Sequence, residues 1–175
     1  MAKQLLLNDF KSQQQEKELA NARRKAVEQA WKKEKEYIQN GKGTRDWSPE
    51  QQKEIIEKGK VRGFEGHHMR SVSSGISYDE QYDIAVDKNN IQFLEKTKEN
   101  NEHLKAHGGN TRNRTNGYYD VKTDKMKDFG YGKPRPPKAG KLSNPIYEQK
   151  NEQMKSRKES ENQNEKQEIK YSYTR

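Results

Sequence analysis

His67, His68, His103 and His107 are all the histidines in the chain, and they fall in one stretch from Gly63 to Arg114. Imidazole titrates near neutral pH and ligates transition metals. The clustering therefore points to one site that handles protons, a metal ion, or both. His103 and His107 are four residues apart. On a helix they leave the same face one turn apart, where two imidazoles can share one ion. His67 and His68 are adjacent. On a strand, neighbours point to opposite faces, whereas at a strand end or bulge both can reach one site. The chain has no Cys, which excludes disulfides and thiolate metal sites. Closed structural zinc sites are usually Cys-rich, so the histidines fit an open site better than a structural zinc module.

The elements that must position these groups can be read from pattern. Phe64 to Val72 is strand-like. Residues 73–88 are polar, carry Asp79, Glu80, Asp83 and Asp87, and read as a loop. Asn89 to Leu94 alternates Ile91 and Phe93 with Gln92, predicting a short returning strand. Thr97 offers an N-cap for a helix over 98–107, ended by Gly108-Gly109. Upstream, Ser48-Pro49-Glu50-Gln51 combines a capping Ser, a Pro at the first helical position and a capping-box Gln. Ile55 and Ile56 give that helix an apolar face, Gly59 stops it, and Trp47 can staple its start onto the core. Residues 9–39 repeat Leu19, Ala22, Ala26, Val27, Ala30 and Trp31 at helical spacing. This helix either packs on the domain or protrudes from it as a docking helix; Asn40 to Gly43 ends it.

Beyond the histidines, Tyr118 to Phe129 suits a short strand or turn. Gly130 to Lys141 is basic and rich in Pro and Gly, which excludes a regular helix or central strand. It reads as a linker, or as a flexible segment that tracks phosphates while Tyr131 stacks on a base. Ile146 to Lys170 reads as solvated helix or disorder. The expected organisation is a helical arm over 1–43, a domain over 44–117 and a basic, partly disordered tail over 118–175.

Composition limits what the chain can be. Of 175 residues, 27% are hydrophobic and 36% charged, so the core must be small. No run approaches the ~20 apolar residues of a membrane span, and Leu5-Leu6-Leu7 is too short for a signal peptide. The expectation is cytoplasmic synthesis, with any export by a Sec-independent route. The net charge of +9 favours polyanionic partners. It resides in the flanks, because residues 61–115 carry 8 Lys/Arg and 8 Asp/Glu.

Gly66-His67-His68, then Asn90-Ile91, then Glu102-His103 to His107-Gly108-Gly109-Asn110 resembles the HNH nuclease superfamily. More closely, it is similar to the GHH subgroup found as C-terminal toxin domains of bacterial polymorphic toxins. Trp47 to Gln51, Gly59 to Glu65 and Asn110 to Gly117 extend the likeness over about residues 46–117. The resemblance implies an α+β chain with a small ββα-metal (His-Me finger) core around one divalent ion: Mg, Mn, Ni or Zn. It implies that His67, His103 and His107 ligate the metal. His68 would be the general base, and Asn90 would fix the loop between the strands and orient that base. It also implies a toxin role and, because a producer must survive its own nuclease, a cognate immunity protein.

The chemistry suits these residue types. Phosphodiester hydrolysis needs water deprotonated near neutral pH, which His can do, and a cation on the phosphoryl and leaving oxygens. Arg112 and Arg114 follow the helix and can clamp a phosphate backbone, or simply serve solubility. The expected substrate is nucleic acid, DNA before RNA, with no membrane partner. Two other readings stay open: a non-catalytic nucleic-acid-binding module with a structural His site, and an intracellular phage or mobile-element HNH protein.

Overall fold

The computed structural model describes residues 2–132 and 138–147. In chain order its elements are α1 (Ala2–Gln39), β1 (Lys42–Gly43), α2 (Pro49–Lys58), β2 (Phe64–His68), α3 (Tyr78–Val86), β3 (Ile91–Glu95), α4 (Glu102–Ala106), β4 (Gly117–Asp120), β5 (Lys125–Asp128) and β6 (Gly140–Lys141). The strands form three antiparallel pairs, β1 with β6, β2 with β3 and β4 with β5. The class is α+β, with long and short helices around small ribbons.

The helical periodicity of α1 becomes its packing face. Leu19, Ala22, Ala26, Ala30, Trp31 and Ile38 are all buried. Trp31 stacks on Phe93 of β3 with ring centroids 3.8 Å apart. Trp47 packs edge-on against Phe64 at 5.0 Å, and Ile55, Val61, Ile91 and Leu142 complete this core. Of the two expectations for the first helix, packing on the domain is the one found. Glu34 of α1 is buried too, accepting hydrogen bonds from the Thr44 backbone and hydroxyl and from Trp47 Nε1. The start of α2 is the expected capping box, and Gly59 at φ 77° closes the helix.

The β2–β3 ribbon is the centre of the molecule. Its register pairs His67 with Gln92 and His68 with Ile91. Alternation along the strands puts Phe64, Gly66, Ile91 and Phe93 toward α1, and His67, Gln92 and Leu94 toward α4. Leu94 packs with Ala106 and Tyr119 in a second small core. Gly66 is required by close approach, since a Cβ there would lie 2.7 Å from a methyl of Val27 on α1.

Two expectations are corrected. Residues 73–88 are mostly helical rather than loop: a 3-10 turn at Val72–Ser74, α3, and a second 3-10 turn at Lys88–Asn90. Ser77 caps α3 by accepting from the Glu80 backbone N–H, and Ile84 and Ala85 pack with Val72 on Leu19 and Ala22 of α1. The helix expected over 98–107 is shorter. Its cap is Asn101, which accepts from the Leu104 N–H, while Thr97 instead accepts from the Asn100 N–H in the preceding turn.

Tyr118 to Phe129, read as a short strand or turn, falls in a hairpin, and the described chain beyond it returns to the fold. Residues 117–128 form the β4–β5 hairpin, β6 pairs with β1, and Leu142 is buried in the main core. Ser143 is held by Asp46, and Gln52 bridges the Trp47 and Asn144 carbonyls. Residues 133–137 and 148–175, where flexible and solvated segments are expected, lie outside the described residues. Among the described residues no helix is long and apolar enough to cross a membrane.

Candidate active site

The two faces of β2 separate the adjacent histidines. His67 turns toward α4, where it meets His103 and His107, the residue that caps the helix C-terminus. Ring centroids are 5.3 Å for His67–His103, 4.9 Å for His67–His107 and 4.9 Å for His103–His107. One ring nitrogen from each lies within 4.8 Å of the other two. The structure therefore brings together the three residues expected to ligate metal, from one strand and one helix.

The hydrogen bonds of these rings indicate which lone pairs are available. Nε2 of His67 and Nδ1 of His103 are buried and have no hydrogen-bond partner among the described residues. Buried polar atoms rarely go unpaired without a reason such as an ion. Nδ1 of His107 lies 2.7 Å from the Asn113 carbonyl. A carbonyl can only accept, so Nδ1 donates, and Nε2 is the nitrogen left to face an ion. Metal-bound histidines commonly anchor their other nitrogen in this way. Burial drives the His67 pKa down to about 3, reinforced by charge on His107, His103 and His68. Burial likewise lowers His103. Both rings are thus neutral at physiological pH, the form that binds metal. Three imidazoles fit a borderline divalent ion such as Zn or Ni and leave coordination positions open.

His68 leaves the opposite face and reaches α3, where its Nε2 lies 3.2 Å from the Ala85 carbonyl. By the same logic Nε2 donates, and Nδ1 carries the basic lone pair. Burial lowers the His68 pKa, with the Ala85 contact working against it. His68 is therefore a neutral base held in one tautomer. It is separate from the three-histidine cluster but adjacent to it through the backbone.

Asn90 is fully buried. Its Oδ1 accepts from the Arg70 N–H at 2.8 Å, and its Nδ2 donates to the Arg70 carbonyl at 2.9 Å. Its own carbonyl accepts from the Met69 N–H. The side chain thus extends the β2–β3 pairing past His68 and fixes the strand end that carries it. Arg112 and Arg114 are exposed and flank Asn113, whose carbonyl contacts His107, and Arg114 also precedes Thr115, whose hydroxyl donates to the His68 carbonyl.

Other supporting residues were not evident in the sequence. Glu102, just before His103, is buried and makes a two-pronged pair with Arg45 at 2.7 and 3.0 Å. It also accepts from the Glu95 N–H. Burial raises its pKa, but these bonds more than offset that and hold it below the ordinary value. Gln92 exchanges two hydrogen bonds with the Tyr119 backbone, at 2.6 and 3.0 Å, tying β4 to the face of the ribbon that carries His67. A polar Gln inside Ile91-Gln92-Phe93-Leu94 is the one sequence signal that could have found it.

Residues 13–95 match the family model described as a GHH-signature-containing HNH/Endo VII superfamily nuclease toxin. The match runs from within α1 to the end of β3. It includes His67, His68 and Asn90 and stops before His103. Among similar curated proteins, Teneurin-3 of Mus musculus is 36% identical over 78 residues, 43% of this chain and 3% of that protein. Teneurin-1 of Homo sapiens is 36% identical over 75 residues, 42% of this chain and 2% of that protein. Teneurin-4 of Mus musculus is 33% identical over 75 residues, with the same coverage. The chain thus spans only 2–3% of the length of these relatives. With the Gly66-His67-His68 triplet on β2, the stretch over residues 13–95 matches the GHH-signature family of HNH/Endo VII superfamily nuclease toxins.

Proposed function

We propose that the chain is a metal-dependent endonuclease that hydrolyses phosphodiester bonds in nucleic acid, DNA before RNA, as a toxin domain of bacterial origin. The observation that carries this reading is the convergence of three ring nitrogens at His67, His103 and His107, two of them buried without partners. In this reading β2, β3 and α4 form a ββα-metal core, and the three histidines hold one divalent ion. Such an ion supplies positive charge to the phosphoryl oxygens and the leaving 3′-oxygen.

The chain's own residues supply the rest. Nδ1 of His68 accepts the proton of the attacking water, while the Ala85 carbonyl fixes the ring through Nε2. Asn90 acts as a positioning residue, holding the backbone just beyond the base. Arg112 and Arg114 hold backbone phosphate beside His107, and their planar forks suit phosphate oxygens. A cognate immunity protein is the partner this reading calls for.

A plasmid-nicking assay with Mg²⁺, Mn²⁺, Ni²⁺ or Zn²⁺ in turn, and with EDTA as control, tests the reading. Nicking is expected with at least one ion, abolished by EDTA and reduced by roughly a hundredfold or more in His68→Ala, the scale of a lost general base. Undiminished nicking in His68→Ala would remove that residue from the role.

A further inference from the structure

A pocket of about 330 Å³ is lined by Arg70, two residues beyond His68 in the chain, and by Ser74, Asn116, Gly130, Tyr131 and Gly132. Its volume is in the range of small-ligand sites. The Arg70 and His68 side chains both reach α3. His68 meets the Ala85 carbonyl, and Arg70 pairs with Glu80 at 2.7 Å.

The Arg70 backbone is clamped by Asn90, and Glu80 engages one Nη. A guanidinium has five N–H donors in a fixed fork, so donors remain for a phosphate. Across the pocket, Tyr131 sits at the tip of a turn closed by Gly132 N–H on the Phe129 carbonyl. Asn116 fixes the base of that turn, donating to the Gly130 carbonyl at 2.8 Å and accepting from the Phe129 N–H. Gly130 takes the left-handed conformation, φ 58°, that the turn requires. Tyr131 itself is fully exposed. A well-anchored turn thus presents an aromatic ring that has no packing partner among the described residues, opposite a half-buried arginine.

Resting on the nuclease reading, we propose that this pocket is a nucleotide subsite. It takes one unstacked nucleotide next to the scissile phosphate, with the base on the Tyr131 ring and its phosphate on Arg70. The subsite favours single-stranded or locally opened substrate, because a paired base is already stacked within its duplex. Stacking of this kind tolerates any base, so the subsite adds affinity without sequence preference.

The test is anisotropy of fluorescein-labelled oligothymidylate and oligouridylate with the full chain, in EDTA so that binding is read without cleavage. The strand that wild type binds more tightly is carried through to the variants. Tyr131→Ala is expected to weaken it by roughly 5- to 150-fold, the scale of one base–aromatic stack. Tyr131→Phe keeps the ring and should stay near wild type, and a blunt duplex should lose little in either variant. Arg70→Gln should lower the slope of log affinity against log salt by about 0.7, one phosphate contact on a single strand. Should Arg70→Gln fail to fold, the exposed Tyr131 variants still decide. Wild-type affinity in Tyr131→Ala, or equal loss on the duplex, overturns the subsite. Failure of wild type to nick plasmid with any ion is a separate result that removes the nuclease reading itself.

Discussion

The amide of Asn90 satisfies both backbone groups of Arg70, one at 2.8 Å and one at 2.9 Å. A side chain here does what a third ladder residue would do, and it does so two residues past His68. Asn90→Ala would leave a buried N–H and a buried carbonyl without partners. Loss of about 1–3 kcal/mol of stability is expected for each group left unsatisfied, readable by urea denaturation. Asn90→Asp keeps the acceptor but sets carboxylate oxygen against the Arg70 carbonyl. It should bind metal at the His67, His103 and His107 site like wild type while nicking far more slowly. Equal loss of both properties would contradict a positioning role.

Gly66 and Val27 set how closely α1 lies on β2. A Cβ on Gly66 would meet the Val27 methyls at 2.7 and 2.8 Å. Gly66→Ala should therefore destabilise by about 1–3 kcal/mol, the usual scale of overpacking. Adding Val27→Ala should recover part of that loss, and a double-mutant cycle measures the coupling. Strict additivity would mean that the two residues do not touch.

Acid should weaken the metal-free protein through its buried histidines. Burial holds His67, His68 and His103 below the ordinary value near 6.5, His67 down to about 3. Above about pH 6.5 both folded and unfolded chains carry these rings neutral. As pH falls below that, the unfolded chain takes up protons first, so folding stability drops. The drop continues toward pH 3, where His67 protonates in the folded state too. His67 alone accounts for on the order of 4 kcal/mol over that window. Melting in EDTA across this pH range reads it, and the slope should flatten in His67→Gln.

Arg112 and Arg114 flank Asn113, whose carbonyl accepts from His107. Replacing either with Ala should weaken duplex binding and reduce the salt slope by about 0.9 for each phosphate no longer neutralised. Metal affinity should be unchanged, because Asn113 holds His107 through its backbone carbonyl. An unaltered salt slope in both variants would make the two arginines mere surface charge.

Much of the frame was legible in the sequence. The apolar spacing of α1 and the Ser48-Pro49-Glu50-Gln51 start need only local rules, and both elements appear as expected. So do the strands around Gly66-His67-His68 and Ile91-Gln92-Phe93. The histidines could be grouped because His103 and His107 share a helix face. What was hidden depends on long-range partners. Residues 73–88 look like a polar loop until Ile84 and Ala85 find Leu19 and Ala22 of α1. Helix α4 is short because Glu102 is tied back to Arg45 and to the Glu95 N–H, a pairing across 57 positions that no local pattern announces. The β4–β5 hairpin joins the domain through Gln92, and Leu142 returns to the core. The separation of His67 from His68 onto two faces follows from strand alternation, but only once the strand is known to be regular through both residues.

The most direct measurement is a calorimetric titration of Zn²⁺ or Ni²⁺ into the apo protein, run beside plasmid nicking on the same samples. One equivalent should bind, and His67→Ala, His103→Ala and His107→Ala should each lose that binding and nicking together. His68→Ala should keep the binding and lose the nicking. Nicking that persists in EDTA, or in a variant that no longer binds the ion, would contradict the account.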